Sequence, residues 1–238
     1  MVKFILANFK SYALDLLPYL ERLKKNLPQE LAPFITLFPS LSALGAGKIS
    51  CVALGAQNAY PALEGAFTGE VTLHALQEWG ISSLLIGHSE RRLLLGETPS
   101  FCLEKFHFFR EQGFQIVFCI GESLDTRNLG QKATLDYLST QLEGIDLEYP
   151  KLIVAYEPIW AIGTGVSARD SDIASTIGGL KQALKSRVRV VYGGSVQASN
   201  AEAILSLPEV DGVLIGKACL DPQVLLDIIK ISSTKEFA

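Results

Sequence analysis

Short apolar runs recur along the chain, and longer stretches with the spacing of amphipathic helices fill the gaps between them. The runs are continuously apolar and do not alternate with polar residues, which is typical of strands buried on both faces of a parallel sheet. The pattern predicts eight strands, at residues 3–7, 34–38, 52–56, 83–86, 115–119, 152–156, 188–192 and 212–215.

The gaps between these strands carry helical spacing. Leu14, Leu17, Leu20 and Leu23 predict one buried helix face, and Ser100 is a candidate N-cap for another helix. Strands that alternate with helices form right-handed βαβ units and a parallel sheet. About eight such units in a chain of this length predict an α/β protein with a closed (β/α)8 barrel. Since no linker or change of composition interrupts the sequence, we expect residues 1–238 to form a single domain.

Composition restricts the kinds of partner. Of the 238 residues, 48% are apolar and 19% are charged, which is typical of a globular protein with a large core. The formal net charge is −4 and no run of Lys and Arg exceeds a pair, so the basic stripe that nucleic acids or anionic membranes require is missing. No segment has the apolar length of a membrane span. We expect neither a nucleic acid nor a membrane as a partner.

The cysteines and the N-terminus indicate a cytoplasmic protein. Cys51, Cys102, Cys119 and Cys219 are far apart and show no C-x-x-C spacing, in a chain too long to depend on disulfides. We therefore expect reduced thiols. The apolar run at residues 4–7 is too short to be the core of a signal peptide.

Polar residues follow several predicted strands, where the active sites of α/β barrels lie. A carboxylate there can act as a base, an imidazole can donate a hydrogen bond to an oxygen that gains negative charge, and an ammonium attracts anions. Glycines after the last two strands let backbone N–H groups approach a phosphate. These parts predict proton transfer on a small phosphorylated substrate. The residues concerned are Asn8, Lys10, His88, Ser89, Glu90, Glu122, Glu157, Gly193, Gly194, Ser195 and Gly216.

The titratable residues also have structural interpretations. His88 follows a strand but could cap a helix or lie in the core, and Glu157 could form a salt bridge in a loop. His74 and His107 lie in helical patterns, which favours structural or surface roles. Because the three histidines lack H-x-x-x-H spacing, we expect no metal site.

A glycine-rich segment at residues 163–168 matches the G-x-G-x-x-G/A pattern of dinucleotide-binding proteins. That pattern indicates a cofactor only when it directly follows a strand, and here Pro158 and Trp160 stand between it and the strand. The region about 20 residues further on, residues 185–190, has no carboxylate for a ribose. We therefore expect no cofactor.

Seven segments, taken in order, resemble those of one known family. They are residues 8–10 (NFK), 55–58 (GAQN), 65–70 (GAFTGE), 86–92 (IGHSERR), 119–122 (CIGE), 155–165 (AYEPIWAIGTG) and 192–196 (YGGSV). With these segments at the predicted strands, the chain resembles the triosephosphate isomerases from end to end. The resemblance implies a TIM barrel and a cofactor-free aldose–ketose isomerase that interconverts dihydroxyacetone phosphate and D-glyceraldehyde 3-phosphate. This reaction belongs to glycolysis and gluconeogenesis in the cytoplasm.

The resemblance also implies roles in the reaction for the matched residues. Glu157 would be the base that moves a proton between two substrate carbons, and a neutral His88 would polarise the carbonyl oxygen. Lys10 and Asn8 would bind the substrate and stabilise its enediolate, and Glu90 would support this network. A neutral donor and an ammonium in a dry pocket stabilise such a charge better than water does.

Phosphate binding, a lid and an oligomer are implied in the same way. Backbone N–H groups of Gly163, Ser195, Gly216 and Lys217 would hold the phosphate. The protein would be a homodimer in which a protruding loop with Thr68 and Glu70 inserts beside the partner's active site, and Arg91 would pair with Glu70 across the interface. A lid over residues 158–166 would exclude water. Its members include Pro158, Ile159, Trp160, Ala161, Ile162, Thr164 and Gly165.

The chain departs from the family pattern at three places. Phe9 stands where Trp is usual, which alters packing and leaves the chemistry alone. Residues 166–168 (VSA) differ from the commoner Lys-Thr/Val-Ala at the second lid hinge and bear on lid kinetics. Lys217 stands where a second Gly is usual and bears on phosphate affinity.

Two other functions stay open at this point. A catalytically silent barrel could bind a sugar phosphate or a protein partner, and a coupled assay for isomerisation would distinguish it. Another sugar-phosphate-binding barrel, from amino-acid biosynthesis, should lack the segment at residues 157–161 (EPIWA), which this chain has.

Overall fold

The computed structural model describes residues 2–162 and 168–233. Within these ranges strands and helices alternate along the chain. The strands are β1 Phe4–Asn8, β2 Ile35–Phe38, β3 Ala53–Leu54, β4 Ser83–Ile86, β5 Gln115–Ile120, β6 Leu152–Tyr156, β7 Arg189–Tyr192 and β8 Gly212–Ile215. The α-helices are α1 Leu16–Asn26, α2 Leu73–Glu78, α3 Ser89–Leu94, α4 Pro99–Glu111, α5 Leu124–Asn128, α6 Gln131–Thr140, α7 Asp170–Leu184, α8 Ala198–Ser206 and α9 Pro222–Ser233.

The strands form one parallel sheet that closes on itself. Their order is β3-β2-β1-β8-β7-β6-β5-β4. The two ends meet where Ala56, just after β3, pairs with Leu84 of β4. Ala56 donates to Ser83 O (2.9 Å) and accepts from Leu85 N (2.9 Å). The prediction of an α/β barrel is therefore confirmed.

Buried side chains lie in two layers around the sheet. The inner layer fills the barrel, and the outer layer packs between the barrel and the helices. In β5, for example, Val117 and Cys119 belong to the inner layer and Ile116 and Phe118 to the outer one. Both faces of the strands other than β3 thus bury apolar side chains, which explains the continuous hydrophobic runs. The inner layer comprises Leu6, Phe38, Leu85, Val117, Cys119, Ile153, Ala155, Val191 and Leu214.

Three details of the predicted elements were wrong. The third strand covers only Ala53–Leu54 and not residues 52–56; directly after it the backbone passes so close to Phe38 at Gly55 that a Cβ there would lie 2.3 Å from the ring. Leu17 is about half exposed, because α1 begins at Leu16 after the Asp15 cap and buries a face rotated from the predicted one. Thr98, not Ser100, caps α4 by accepting from Phe101 N.

None of the helices in the described ranges has both the length and the apolar character to cross a membrane.

Candidate active site

The carboxyl ends of the strands surround a cavity of about 660 Å³. Loops after five strands contribute to its walls, as expected for the end of a barrel where function resides. The cavity brings together four of the residues singled out for proton transfer and three of those singled out for phosphate binding, whereas Glu90 lines a neighbouring cavity. These are Asn8, Lys10, His88, Glu157, Ser195, Gly216 and Lys217.

Glu157 directly follows β6, and hydrogen bonds of both its backbone and its side chain fix its position. Its N–H donates to Ile120 O (2.7 Å), an approach that only a glycine at 121 allows, because a Cβ there would lie 1.9 Å from Glu157 O. Glu157 Oε2 accepts from Ser89 N (2.9 Å). Its Oε1 makes no well-aligned hydrogen bond with the described residues, although the side chain is almost fully buried. One carboxylate oxygen is therefore anchored and the other is available to a ligand.

His88 sits at the start of α3 and faces Glu157. Its Nδ1 accepts from Glu90 N (3.2 Å), so the proton of a neutral ring lies on Nε2, which is 3.0 Å from Glu157 Oε1. Burial by itself lowers the pKa of His88. The Glu157 carboxylate outweighs burial, with a smaller contribution from Glu90, and raises this pKa above its ordinary value. The structural interpretation as a helix cap is thus correct, and the ring faces the cavity as well.

Lys10 and Asn8 form the opposite wall. The backbone of Lys10 is in the left-handed region with φ of 53°, and its N–H donates to Asn8 Oδ1 (2.9 Å). Such strained backbone persists where neighbouring contacts enforce it, often at functional sites. Lys10 Nζ donates to Glu90 Oε1 (2.5 Å). Gln57 Nε2 donates to Lys10 O (2.7 Å) and supports this conformation, a contact whose only sequence signal was its place in the GAQN segment.

Three of the four residues expected at the phosphate line the same cavity. Ser195 follows β7, and Gly216 and Lys217 follow β8. Among the hydrogen bonds of the described chain, none uses the backbone N–H of Ser195 or of Lys217. Both donors are therefore available to an anion. Gly163, the fourth expected contact, lies outside the described residues.

The described part of the lid starts beside a buried carboxylate. Glu122 Oε1 accepts from Trp160 Nε1 (3.0 Å) and from Tyr156 OH (3.0 Å). Burial raises the pKa of Glu122 in spite of these two donors. Pro158 precedes a short 3-10 helix, Ile159–Ala161, and Ile162 lines the cavity. Thr164, Gly165 and the hinge residues 166–167 lie outside the described residues.

The residues expected at a dimer interface lie beside this cavity. Glu70 and Arg91 line a second cavity of about 450 Å³, which also contacts Lys10 and His88. Thr68 lies two residues before Glu70 in the same loop. Arg91 Nε bonds to Glu97 Oε2 (2.5 Å) in the same chain. Buried Glu97 also binds Lys105 Nζ (2.9 Å), a pair that sequence reasoning missed.

The remaining histidines and Phe9 lie in structural positions. His74 pairs with Glu64 at the surface (3.1 Å), and His107 packs against Phe106 on α4. Phe9 is buried with its ring edge-on to Tyr19, at 5.2 Å between centroids. Within residues 2–162 and 168–233, no group of three or more His, Cys, Asp or Glu could hold a metal ion.

Comparison with known proteins matches this geometry to one family. The family model of triosephosphate isomerase matches residues 3–232. A triosephosphate isomerase of Helicobacter pylori (strain Shi470) is 52% identical over 232 residues, which cover 96% of this chain and 99% of the relative. The triosephosphate isomerase of Wolinella succinogenes is 52% identical over 214 residues, 89% of this chain and 91% of the relative. That of Helicobacter hepaticus is 51% identical over 198 residues, 83% of each chain. The chain therefore belongs to the triosephosphate isomerase family.

Proposed function

We propose that this protein interconverts dihydroxyacetone phosphate and D-glyceraldehyde 3-phosphate by proton transfer through an enediolate. The observation that carries the proposal is the pair formed by Glu157 and His88. An almost fully buried carboxylate has one oxygen fixed by Ser89 N–H and the other 3.0 Å from an imidazole nitrogen, and it lines a cavity of small-molecule size. The relatives named triosephosphate isomerase support the same assignment.

The reaction needs a base, an electrophile and a cation. Glu157 Oε1 removes a proton from one substrate carbon and returns it to the next, while Oε2 stays fixed by Ser89 N–H. His88 Nε2–H donates to the substrate oxygen that becomes negative. The Lys10 ammonium stabilises that charge, and Glu90 and Asn8 hold Lys10 in place. The proton taken from one carbon is replaced on the other, and the hydroxyl proton of the first oxygen passes to the second. Because no electron enters or leaves the substrate, the chemistry requires no cofactor or metal.

The phosphate would anchor the substrate beside the loops that follow β7 and β8. The backbone N–H groups of Ser195, Gly216, Lys217 and Gly163 would bind its oxygens. Closure of the lid over residues 158–166 would then exclude water, which strengthens the interactions around the developing charge. The hydrogen bond between Trp160 and Glu122 holds the first part of this lid beside the end of β5.

We further propose that residues 1–238 form a single domain and that the protein acts as a homodimer. It would act in the cytoplasm, in glycolysis and gluconeogenesis. The loop with Thr68 and Glu70 would enter the second cavity of the partner chain. This cavity shares Asn8, Lys10 and His88 with the substrate cavity, so the partner would support the active site. Arg91, held by Glu97, would turn its remaining N–H groups to Glu70 of the other copy.

The base is tested by Glu157→Gln. The amide keeps the size of the side chain but cannot accept the proton, so we expect turnover to fall by at least about 10²- to 10⁴-fold. A coupled assay with D-glyceraldehyde 3-phosphate measures it, and circular dichroism checks the fold. Near-normal turnover in the folded variant would remove Glu157 from this role. If the unaltered protein bound the substrate but did not isomerise it, the silent-barrel function would be correct instead.

A further inference from the structure

The charges around the cavity leave one ammonium unpaired. Lys10 is bound to Glu90 at 2.5 Å, and His88 lies against Glu157. Lys217 lines the same cavity with an exposed side chain, and it has no ion pair among the described residues. A substrate dianion that enters the cavity is therefore repelled by the Glu157 carboxylate. The attraction from Lys10 is reduced, because the Glu90 carboxylate already offsets most of the positive charge of Lys10.

Positions 216 and 217 differ in their surroundings. A Cβ at Gly216 would lie 3.4 Å from Lys10 Cε, in van der Waals contact with that side chain. Lys217 instead begins a short 3-10 helix, Lys217–Leu220, in which Cys219 N donates to Gly216 O (2.9 Å). Its side chain reaches solvent at the rim while its N–H stays available to the cavity.

We propose that the Lys217 ammonium is a specificity-determining group that attracts the anionic end of the ligand and offsets its repulsion by Glu157. A single charge at the cavity rim recognises any small dianion, so free inorganic phosphate competes with the substrate through the same side chain. Because the ammonium lies at the rim in solvent, its effect depends on ionic strength. The inference rests on the proposed function only in taking the substrate to be a phosphate ester.

The test measures inorganic phosphate binding by ³¹P NMR, without turnover. Ionic strength is held with sodium chloride at about 0.1 M and at about 1 M, where the screening lengths are about 10 Å and 3 Å. We expect Lys217→Met to weaken phosphate binding by about two- to tenfold at the lower salt and by less than about twofold at the higher salt. Lys217→Arg, which keeps the charge, should bind like the unaltered protein. Lys25→Met, which removes an exposed charge from the end of α1, is the matched control and should change nothing.

The kinetic counterpart is a rise in KM without a loss of kcat. We expect Lys217→Gly to change KM by less than about tenfold and to leave kcat nearly unchanged, because the same interaction is made with substrate and transition state. Equal phosphate binding by the Met variant and the unaltered protein at low salt would overturn the proposal, as would a loss of the same size at both salts. A hundredfold fall in kcat would also overturn it, since Lys217 would then contact the reacting substrate. Turnover of the unaltered protein is a separate readout, so a failure of the proposed isomerase function is distinguishable from these outcomes.

Discussion

At the scale of single residues, the site depends on how Glu157 and His88 constrain one another. Ser89 N–H fixes one carboxylate oxygen and Glu90 N–H fixes one ring nitrogen, so the free oxygen and the free nitrogen face each other. Both backbone donors come from the first turn of α3, where N–H groups have no partner within the helix. A short helix directly after β4 thus orients both reacting groups. This explains why capping and catalysis are compatible for His88.

The pKa of His88 tests this pair directly. Burial lowers it, but the charge and the hydrogen bond of Glu157 together with the charge of Glu90 outweigh burial, so in the free protein we expect a value above the usual one of about 6.5. In Glu157→Gln the contribution of the Glu157 carboxylate is lost while burial remains, and the pKa of His88 should fall. Proton NMR of a His74→Asn, His107→Asn protein, which keeps one histidine, measures both. A His88 pKa that does not respond to Glu157→Gln would contradict the geometry.

The same pKa shift has a consequence for stability. Since the folded-state pKa lies above the unfolded one, the pair contributes to the free energy of unfolding at acidic pH, and the contribution is lost as the pH rises through the folded-state value. The neutral His88 ring that the reaction uses therefore forms only as the pH rises through the folded-state pKa. The acid side of the profile of kcat/KM should show the matching loss of activity as His88 becomes protonated.

At the scale of elements, strands were the most predictable part of the fold. Their apolar runs are visible because both faces are buried. The observed bounds differ by at most one residue at either end, except that β3 ends two residues earlier than predicted. Helix details were harder to predict. Leu17 fitted a buried helix face, but Leu16 is buried in its place. Ser100 fitted an N-cap, but Thr98 caps α4. Contacts such as Glu97 with Lys105 leave no periodic signal in sequence. The glycine-bearing turns after β7 and β8 pointed to phosphate contacts at Ser195 and Gly216. Gly163, Lys217, the lid and the dimer residues came from family resemblance alone, because surface loops carry no residue-type signature.

The buried ion pair between Glu97 and Lys105 holds α4 to the loop that precedes it. Both side chains are almost fully buried. Burial raises the pKa of Glu97, but the hydrogen bonds from Lys105, Arg91 and Cys102 together lower it below the ordinary value. The stabilisation is therefore present above the unfolded-state pKa and is lost as the pH falls through the folded-state value.

Removal of one partner should cost more than removal of both. We expect Glu97→Leu to lower the free energy of unfolding by about 3–5 kcal/mol, because it leaves the Lys105 ammonium buried without a counter-charge. Glu97→Leu combined with Lys105→Met should recover most of this loss. Urea unfolding of the two single variants and the double variant measures the coupling. Additive losses in the double variant would show that the pair is not a unit.

At the scale of the whole molecule, one side of the barrel end carries an exposed apolar surface next to the active site. Leu93, Leu94 and Leu95 are 62%, 78% and 67% exposed. They lie beside the second cavity, to which Leu94 and Leu95 contribute. The loop at residues 65–70 is braced on the same side by a contact between Tyr60 and Phe67, whose ring centroids are 4.3 Å apart. A preformed loop next to a cavity of the same chain is the arrangement that a two-fold symmetric dimer requires, since each copy supplies both parts.

The dimer prediction follows from this complementarity. We expect light scattering at micromolar concentration to give twice the chain mass of 25.9 kDa, because an isologous contact would cover the three leucines and fill the second cavity of each copy. Thr68→Arg, which places a long charged side chain at the tip of the inserting loop, should shift the protein towards monomers. Its activity should fall with dilution, because the partner loop then no longer supports Lys10 and His88. Lys132→Glu, a charge change on the exposed face of α6, serves as the control and should leave the mass unchanged. A monomer that keeps full activity at micromolar concentration would refute the dimer.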